Sequence, residues 1–184
     1  DYHAQYAIPP DLSPEELAAS ARAEVAAREA VRQLGLQGLS IHYEALGHDP
    51  RFKALPFAAA ARLMAEGLGF GGEGDVTSAA GVLMMHHLTG LATFSEMFTM
   101  DFGGGTIFMS HFAESNPRMA KQGQPIQMVR RDGWVGSGGV SASLAFTMEP
   151  GPMTLVNLTV GAGGACHLIA TRGEAHEFLV PGQA

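Results

Sequence analysis

The chain has little of three features that often define a protein's class: cysteine, positive charge and long apolar runs. Its single cysteine, Cys166, excludes an internal disulfide and is typical of a reducing, cytoplasmic setting. Eleven Lys and Arg residues face eighteen Asp and Glu residues, and their scatter argues against a nucleic-acid partner. No apolar run approaches the roughly 20 residues of a membrane span, so no membrane partner is expected.

What is present favours a folded α+β protein, because 46% of the 184 residues are hydrophobic. Residues 13–16 (SPEE) combine an N-cap serine, a proline at the first helical position and the glutamate of a capping box. They predict a helix that runs to Leu34 and stops at Gly35. Further helices are predicted at about 56–65 and 77–88, the second capped by Asp75 or Thr77.

Residues 39–45 alternate like a single strand, with Leu39, Ile41 and Tyr43 on one side. A lone strand leaves its backbone groups unpaired, so we expect its neighbours in a missing N-terminal portion or in another subunit. The glycine- and alanine-rich surroundings of Cys166 predict that it is a small buried residue.

The second half of the chain consists of short β-type runs separated by glycines. The candidate strands are 92–101, 105–113, 125–131, 134–147, 153–160 and 165–171, with a further candidate at 176–180. About six antiparallel strands in roughly 90 residues indicate a small barrel or sandwich.

Residues 67–80 (GLGFGGEGDVTSAA) place one carboxylate, Glu73, among glycines at the start of a helix. Glycines leave room for a substrate, a metal ion or another backbone to approach that carboxylate. The alternative is that they serve only a tight loop.

A hairpin that turns at Gly103 and Gly104 would pair Met100 with Ile107 and Glu96 with His111. Directly opposed residues have Cβ atoms about 4.5–5.5 Å apart, so a carboxylate and an imidazole could reach one metal ion. The helix of 77–88 and the connection after it are long enough for Glu73 to join them. Two carboxylates and an imidazole suit Mn²⁺ or Mg²⁺. The alternative is a half-buried salt bridge between Glu96 and His111.

Three segments carry a resemblance to a known family. Residues 55–75 (LPFAAAARLMAEGLGFGGEGD), followed by Thr77-Ser-Ala-Ala80, look like the central segment of the L-arabinose isomerases. Residues 93–96 (TFSE) and 110–117 (SHFAESNP) are similar to two shorter motifs of that family. By this resemblance the family's two metal-binding glutamates correspond to Glu73 and Glu96, and one metal-binding histidine corresponds to His111.

The resemblance implies a fold and a chemistry. Residues 1–90 would be the tail of a Rossmann-like α/β middle domain, and 91–184 a six-stranded antiparallel β-barrel. The implied reaction is aldose–ketose isomerisation of a sugar with Mn²⁺ or another divalent cation. Glu73 and Glu96 would move a proton between C1 and C2 through an enediol, with His111 as a metal ligand.

The sequence also departs from the family pattern. A further metal-binding histidine of the family has no counterpart here, and Met97 stands where an acidic residue is usual. We therefore expect a fragment that needs an N-terminal domain and homo-oligomerisation for activity. The alternative is a noncatalytic sugar-binding or assembly module that retains the barrel. Glu114 is a candidate supporting acceptor near the site, whereas Asp101 is better explained by turn chemistry.

Overall fold

The structure, a computed structural model, describes residues 1–112, 114–132 and 139–177. These residues form a mixed α/β fold of helices and two-stranded sheets. The α-helices are α1 (Tyr2–Gln5), α2 (Pro14–Leu34), α3 (Tyr43–Gly47), α4 (Phe57–Ala65) and α5 (Val76–Thr89). The strands are β1 (Gly38–Ile41), β2 (Gly69–Gly72), β3 (Glu96–Asp101), β4 (Thr106–Ser110), β5 (Gln127–Arg131), β6 (Ser141–Ala145), β7 (Gly151–Val160) and β8 (Cys166–Ala175).

The long helix α2 begins and ends at the residues that the sequence predicts. The Ser13 hydroxyl accepts a hydrogen bond from the Glu16 backbone N–H at 3.2 Å, and the Glu16 carboxylate accepts one from the Ser13 N–H at 2.8 Å. This reciprocal pair satisfies two of the free N–H groups at the helix start. Gly35 closes the helix in the left-handed conformation with φ of 61°. The predicted capping box is confirmed.

The capping-box carboxylate should make stability depend on pH. The backbone hydrogen bond from Ser13, followed by the hydrogen bond from Arg130 on β5, lowers the pKa of Glu16. Its stabilising contribution is therefore present above the ordinary glutamate pKa of about 4.3 and is lost as pH falls through the lower folded value. In Glu16→Gln the amide oxygen still caps the helix but does not titrate. We expect urea unfolding to show a smaller loss of stability in this variant than in the unmodified protein between about pH 5 and pH 3. Identical pH profiles would contradict the assignment.

The predicted lone strand has its partner within the chain. Strand β1 pairs in parallel with β2, with Gly38 opposite Gly69 and Ile41 opposite Gly72. The expectation that its neighbours lie in a missing portion or another subunit was wrong. It failed because β2 has the sequence GFGG, in which glycine content hides an extended, fully buried strand.

The predicted strand at 39–45 is too long. It ends at Ile41, and α3 begins at Tyr43 with His42 as its N-cap residue. The alternating pattern therefore continued into a helical turn whose first side chain, Tyr43, is buried at 3% exposure. The helices predicted at 56–65 and 77–88 are confirmed as α4 and α5. The Asp75 side chain caps α5 by accepting from the Ser78 N–H at 2.9 Å.

All six predicted strands of the second half occur, but over the described residues they do not close into a barrel. They pair as three separate antiparallel hairpins, β3–β4, β5–β6 and β7–β8. Within the described residues the bridges outside the named strands join Ala7 to Gln127 and Ala120 to Met148. Neither bridge links two of the hairpins into one sheet, so the predicted six-stranded barrel is not supported. Parts of the candidate strands 134–147 and 176–180 lie outside the described residues.

One physical reason is that β5–β6 packs on helices instead of on the other hairpins. Met128 and Leu144, each 1% exposed, share a core with Leu17 of α2 and Ala58 of α4. This core contains residues from both sides of the predicted domain boundary at residue 90. The division into 1–90 and 91–184 remains a prediction.

A second core lies beneath the parallel strands. It joins side chains from α3, α4, β2 and α5 with one residue before α4 and one before β3, namely Tyr43, Leu55, Phe57, Ala60, Met64, Phe70, Val82 and Phe94. Phe70 is the only side chain of β2 and is completely buried. The position of Phe94 in this core holds the start of the β3–β4 hairpin near the carboxyl end of β2.

The structure also bears on the burial of Cys166 and on membrane-spanning helices. Cys166, predicted to be buried, is exposed at the start of β8, so its apolar surroundings in sequence do not enclose it. Among the residues that the structure describes, no helix combines the length and the apolarity needed to cross a bilayer.

Candidate active site

The carboxyl edge of the β1–β2 pair carries two of the chemically important side chains. Because the strands are parallel and in register, the residues that follow Ile41 and Gly72 emerge at the same edge. Tyr43 follows β1 and Glu73 follows β2. Crevices at this edge of parallel sheets are the usual ligand sites of α/β proteins.

Glu73 has the only left-handed backbone conformation of a non-glycine residue in the described part of the chain. Its φ is 53°, and its side chain is exposed. The turn is fixed by a hydrogen bond of 2.9 Å from the Asp75 N–H to the Gly72 carbonyl. A non-glycine residue in the left-handed conformation costs backbone energy, and such strained residues are concentrated at functional sites.

His111 lies directly against the residue that precedes Glu73. A Cβ added to Gly72 would stand 3.0 Å from Cε1 of His111, so the absence of a side chain there makes room for the imidazole. The ring meets Phe94 edge to face at a centroid distance of 5.1 Å and Phe112 at 5.0 Å. The His111 side chain is only 2% exposed. The glycines near Glu73 therefore do more than form a tight loop.

A buried hydrogen-bond chain holds the other side of the imidazole. Nδ1 of His111 lies 2.8 Å from Oε2 of Glu114, and the Tyr43 hydroxyl donates to the other oxygen of the same carboxylate. Glu114 is completely buried. Sequence reasoning named Glu114 only as a supporting acceptor and missed Tyr43. The signal that could have found Tyr43 is its position just after a strand, at the edge that also carries Glu73.

Glu96 faces the free nitrogen of His111. Its Oε1 lies 4.0 Å from Nε2, and its side chain is 47% exposed. The predicted pairing is only partly correct. Met100 is opposite Ile107 as expected, but an irregularity between Met97 and Thr99 shifts the register so that Glu96 is opposite Ser110. A bulge adds one residue to one strand, and turn geometry alone could not reveal it.

The hairpin turn itself agrees with expectation. The Asp101 carboxylate accepts hydrogen bonds of 2.9 Å from the backbone N–H groups of Gly103 and Gly104. Asp101 is therefore a turn residue, as its sequence context predicts.

The charges around His111 shift its pKa. Burial of the ring works against the charged form, but the hydrogen bond to Glu114 and the negative charges of Glu114, Glu96 and Glu73 outweigh it, so the pKa of His111 is raised. Burial, followed by the charge and hydrogen bond of Glu114, raises the pKa of Tyr43 as well. The negative charge of Glu73 adds to the upward pKa shift of both groups.

The residue types at this site suit a divalent cation, but their positions in the structure do not gather all three around one ion. Two ligands at about 2.1 Å from one ion can be at most about 4.2 Å apart, which accommodates the 4.0 Å between Glu96 and His111. Among the described residues, however, no group of three or more His, Cys, Asp and Glu side chains is gathered closely enough to hold a metal ion. Glu73 would have to move its exposed side chain to complete the set.

The first half of the chain is similar to a known domain family. Residues 1–91 match the family model of the L-arabinose isomerase central domain. The parallel strands and the helices around them agree with an α/β domain of this kind.

The similarity extends to particular enzymes. The chain is 34% identical over 144 residues to the L-arabinose isomerases of Yersinia enterocolitica, Yersinia pseudotuberculosis and Yersinia pestis. The aligned part covers 75% of this chain and 28% of each relative, so the chain spans little more than a quarter of their length. The chain is therefore similar to the L-arabinose isomerases over part of their length.

The strained conformation of Glu73 allows stability and function to be separated. We expect Glu73→Gly to unfold at the same or a slightly higher urea concentration, because glycine removes a left-handed cost of about 1–2 kcal/mol and returns part of it as unfolded-chain entropy. The same change removes the carboxylate, so a loss of function in a variant of unchanged stability would not be a folding defect. Glu73→Gln is the matched control: it removes the charge but keeps the side-chain volume and the backbone strain, so its stability should equal that of the unmodified protein. A large loss of stability in Glu73→Gly would contradict this account of the turn.

Proposed function

We propose that this chain is part of a metal-dependent aldose–ketose isomerase. The observation that carries the proposal is the juxtaposition of the Glu96 carboxylate and the free nitrogen of His111, 4.0 Å apart, against the glycine turn that carries Glu73. Three separate segments contribute these side chains, and all three lie in the stretches that resemble the isomerase motifs. A salt bridge alone does not explain why Nδ1 of His111 has a buried partner while Nε2 faces an exposed carboxylate.

Glu73, Glu96 and His111 are the residues that would hold Mn²⁺ or another divalent cation. When bound, the ion would polarise the O1 and O2 oxygens of the sugar. Its oxygen and nitrogen ligands are the types that hard or borderline divalent ions prefer.

The two glutamates supply the proton chemistry in this proposal. Isomerisation needs a base that removes a proton from one carbon and returns it to the next, with an enediol between the two steps. Both side chains are exposed enough to meet a substrate, whereas His111 and Glu114 are buried. Glu73 and Glu96 are therefore assigned the proton transfer, and His111 the binding of the ion.

Other parts of the enzyme are expected outside this chain. Since the relatives are longer, we propose that the full-length protein includes an N-terminal domain, forms homo-oligomers and acts on its sugar in the cytoplasm. In such an assembly another segment or subunit would supply the remaining metal-binding side chain. A noncatalytic sugar-binding module is the second candidate, because the described residues do not by themselves gather three ligands.

Manganese binding by the full-length protein tests the proposal. We expect Glu96→Ala and His111→Ala each to weaken Mn²⁺ binding by about 100-fold or more, measured by isothermal titration calorimetry, and to abolish aldose–ketose conversion. Glu15→Ala, which removes an exposed carboxylate from α2, is the control and should change neither. Mn²⁺ affinity that both site variants leave unchanged would contradict the metal site. Mn²⁺ binding that depends on Glu96 and His111, without aldose–ketose conversion by the unmodified protein, would favour the noncatalytic module.

A further inference from the structure

The buried partner of His111 has a more specific role than filling space. Glu114 is fully buried, and an ionised carboxylate in such a position is costly unless its oxygens are paired. Both oxygens are paired, one by the Tyr43 hydroxyl and the other by Nδ1 of His111 at 2.8 Å. These two hydrogen bonds therefore fix the orientation of the Glu114 carboxylate.

The hydrogen bond to the Glu114 carboxylate determines which nitrogen of His111 carries the proton. An ionised carboxylate can only accept hydrogen bonds, so Nδ1 must be the donor. In a neutral imidazole the other nitrogen then has the lone pair. That nitrogen, Nε2, is the one that faces Glu96.

The rest of the surroundings fix the ring plane but not the proton. Phe94 and Phe112 meet the imidazole at interplanar angles of 78° and 76°, and Gly72 leaves the space that the ring occupies. These apolar contacts cannot distinguish the two nitrogens. Among the residues that the structure describes, only Glu114 makes a polar contact with Nδ1, and only Tyr43 makes a second polar contact with Glu114.

We propose that Glu114, held by Tyr43, is a positioning residue that keeps His111 protonated on Nδ1 and presents the Nε2 lone pair to the space shared with Glu96. Tyr43 comes from the first turn of α3, and Glu114 follows the β3–β4 hairpin 71 residues later. The chain of hydrogen bonds thus ties the parallel strands to the hairpin. Partners of this kind orient a metal-binding imidazole and typically change metal affinity 10- to 100-fold when removed. The link to metal binding rests on the proposed function, whereas the protonation pattern does not.

Nitrogen NMR of the metal-free full-length protein, labelled with ¹⁵N in histidine, tests the inference directly. Measured at a pH that leaves the ring neutral, the His111 signal should show a protonated Nδ1 and an unprotonated Nε2, and its assignment follows from its loss in His111→Ala. We expect Glu114→Ala to move the proton to Nε2, and Glu114→Gln to restore the original pattern in part, because its amide oxygen can accept from Nδ1. A protonated Nε2 in the unmodified protein, or an unchanged pattern in Glu114→Ala, would overturn the inference.

Metal affinity provides the second measurement. Glu114→Ala should weaken Mn²⁺ binding about 10- to 100-fold, and Tyr43→Phe should weaken it less, while Glu15→Gln leaves it unchanged. If Glu114→Ala does not fold, Tyr43→Phe and Glu114→Gln still decide the question, since an affinity within twofold of the unmodified value in both would contradict the positioning role. If the unmodified protein binds no Mn²⁺, the proposed function fails and the NMR pattern alone decides the role of Glu114.

Discussion

Replacing Gly71 with alanine is expected to destabilise the folded chain by about 3 kcal/mol or more, at the upper end of what overpacking costs. A Cβ at this position would collide with the backbone carbonyl of Asp75 and would stand 2.9 Å from the backbone nitrogen of Ala79. Both are main-chain atoms of α5 and its N-cap, so no rotamer change can relieve the collision. The helix would have to move away from β2, and the Glu73 turn would move with it.

A glycine on the facing helix provides a matched control with the opposite sign. Within the described residues, a Cβ at Gly81 of α5 would meet only the Cβ of Leu158 at 3.7 Å, which is an ordinary contact. Alanine also suits a helix interior better than glycine, so Gly81→Ala should stabilise the chain by about 0.5–1 kcal/mol. Urea unfolding followed by circular dichroism measures both changes. Equal effects of the two substitutions would contradict the packing of α5 on β2.

The packing of α5 on β2 is an example of a long-range contact that the sequence could not predict, in contrast to features set by neighbouring residues. Capping signals and helical periodicity depend on neighbouring residues, so the bounds of α2, α4 and α5 could be predicted closely. The strand nature of β2 could not, because Gly69 and Gly71 are required by the helix α5 that packs across the strand, and not by a local turn. The separation of the hairpins was hidden for a similar reason, since the packing of β5–β6 on α2 and α4 is a long-range choice.

For the candidate site, the sequence predicted which residues belong to the site more accurately than it predicted the contacts between them. The motifs led to Glu96 and His111, which lie 4.0 Å apart despite the register shift in the hairpin. The closest polar partner of His111 is instead Glu114, three residues further on, which arises because the chain turns after β4. No local pattern could show that Tyr43, in the other half of the chain, would complete that contact.

Replacing Glu24 with alanine is expected to lower the free energy of unfolding by about 3–5 kcal/mol, because it breaks a buried charge network. The Glu24 side chain is 8% exposed and accepts three hydrogen bonds, from the Tyr2 hydroxyl at 2.6 Å and from Arg28 and Arg62 at 2.8 Å each. Its loss would leave the Arg62 guanidinium, 14% exposed, without its carboxylate partner. Arg62 belongs to α4, so the network joins α1, α2 and α4 beside the first core.

An exposed carboxylate on the same helix separates burial from charge in this prediction. Glu29 also pairs with an arginine, Arg32, but the pair is exposed and its loss should leave the urea midpoint almost unchanged. Glu24→Gln is the second comparison, since it keeps the volume and an acceptor oxygen but removes the charge, and it should lie between the two alanine variants. If Glu24→Ala were as stable as Glu29→Ala, the network would be a surface feature. The docking of α2 on α4 would then depend on apolar contacts alone.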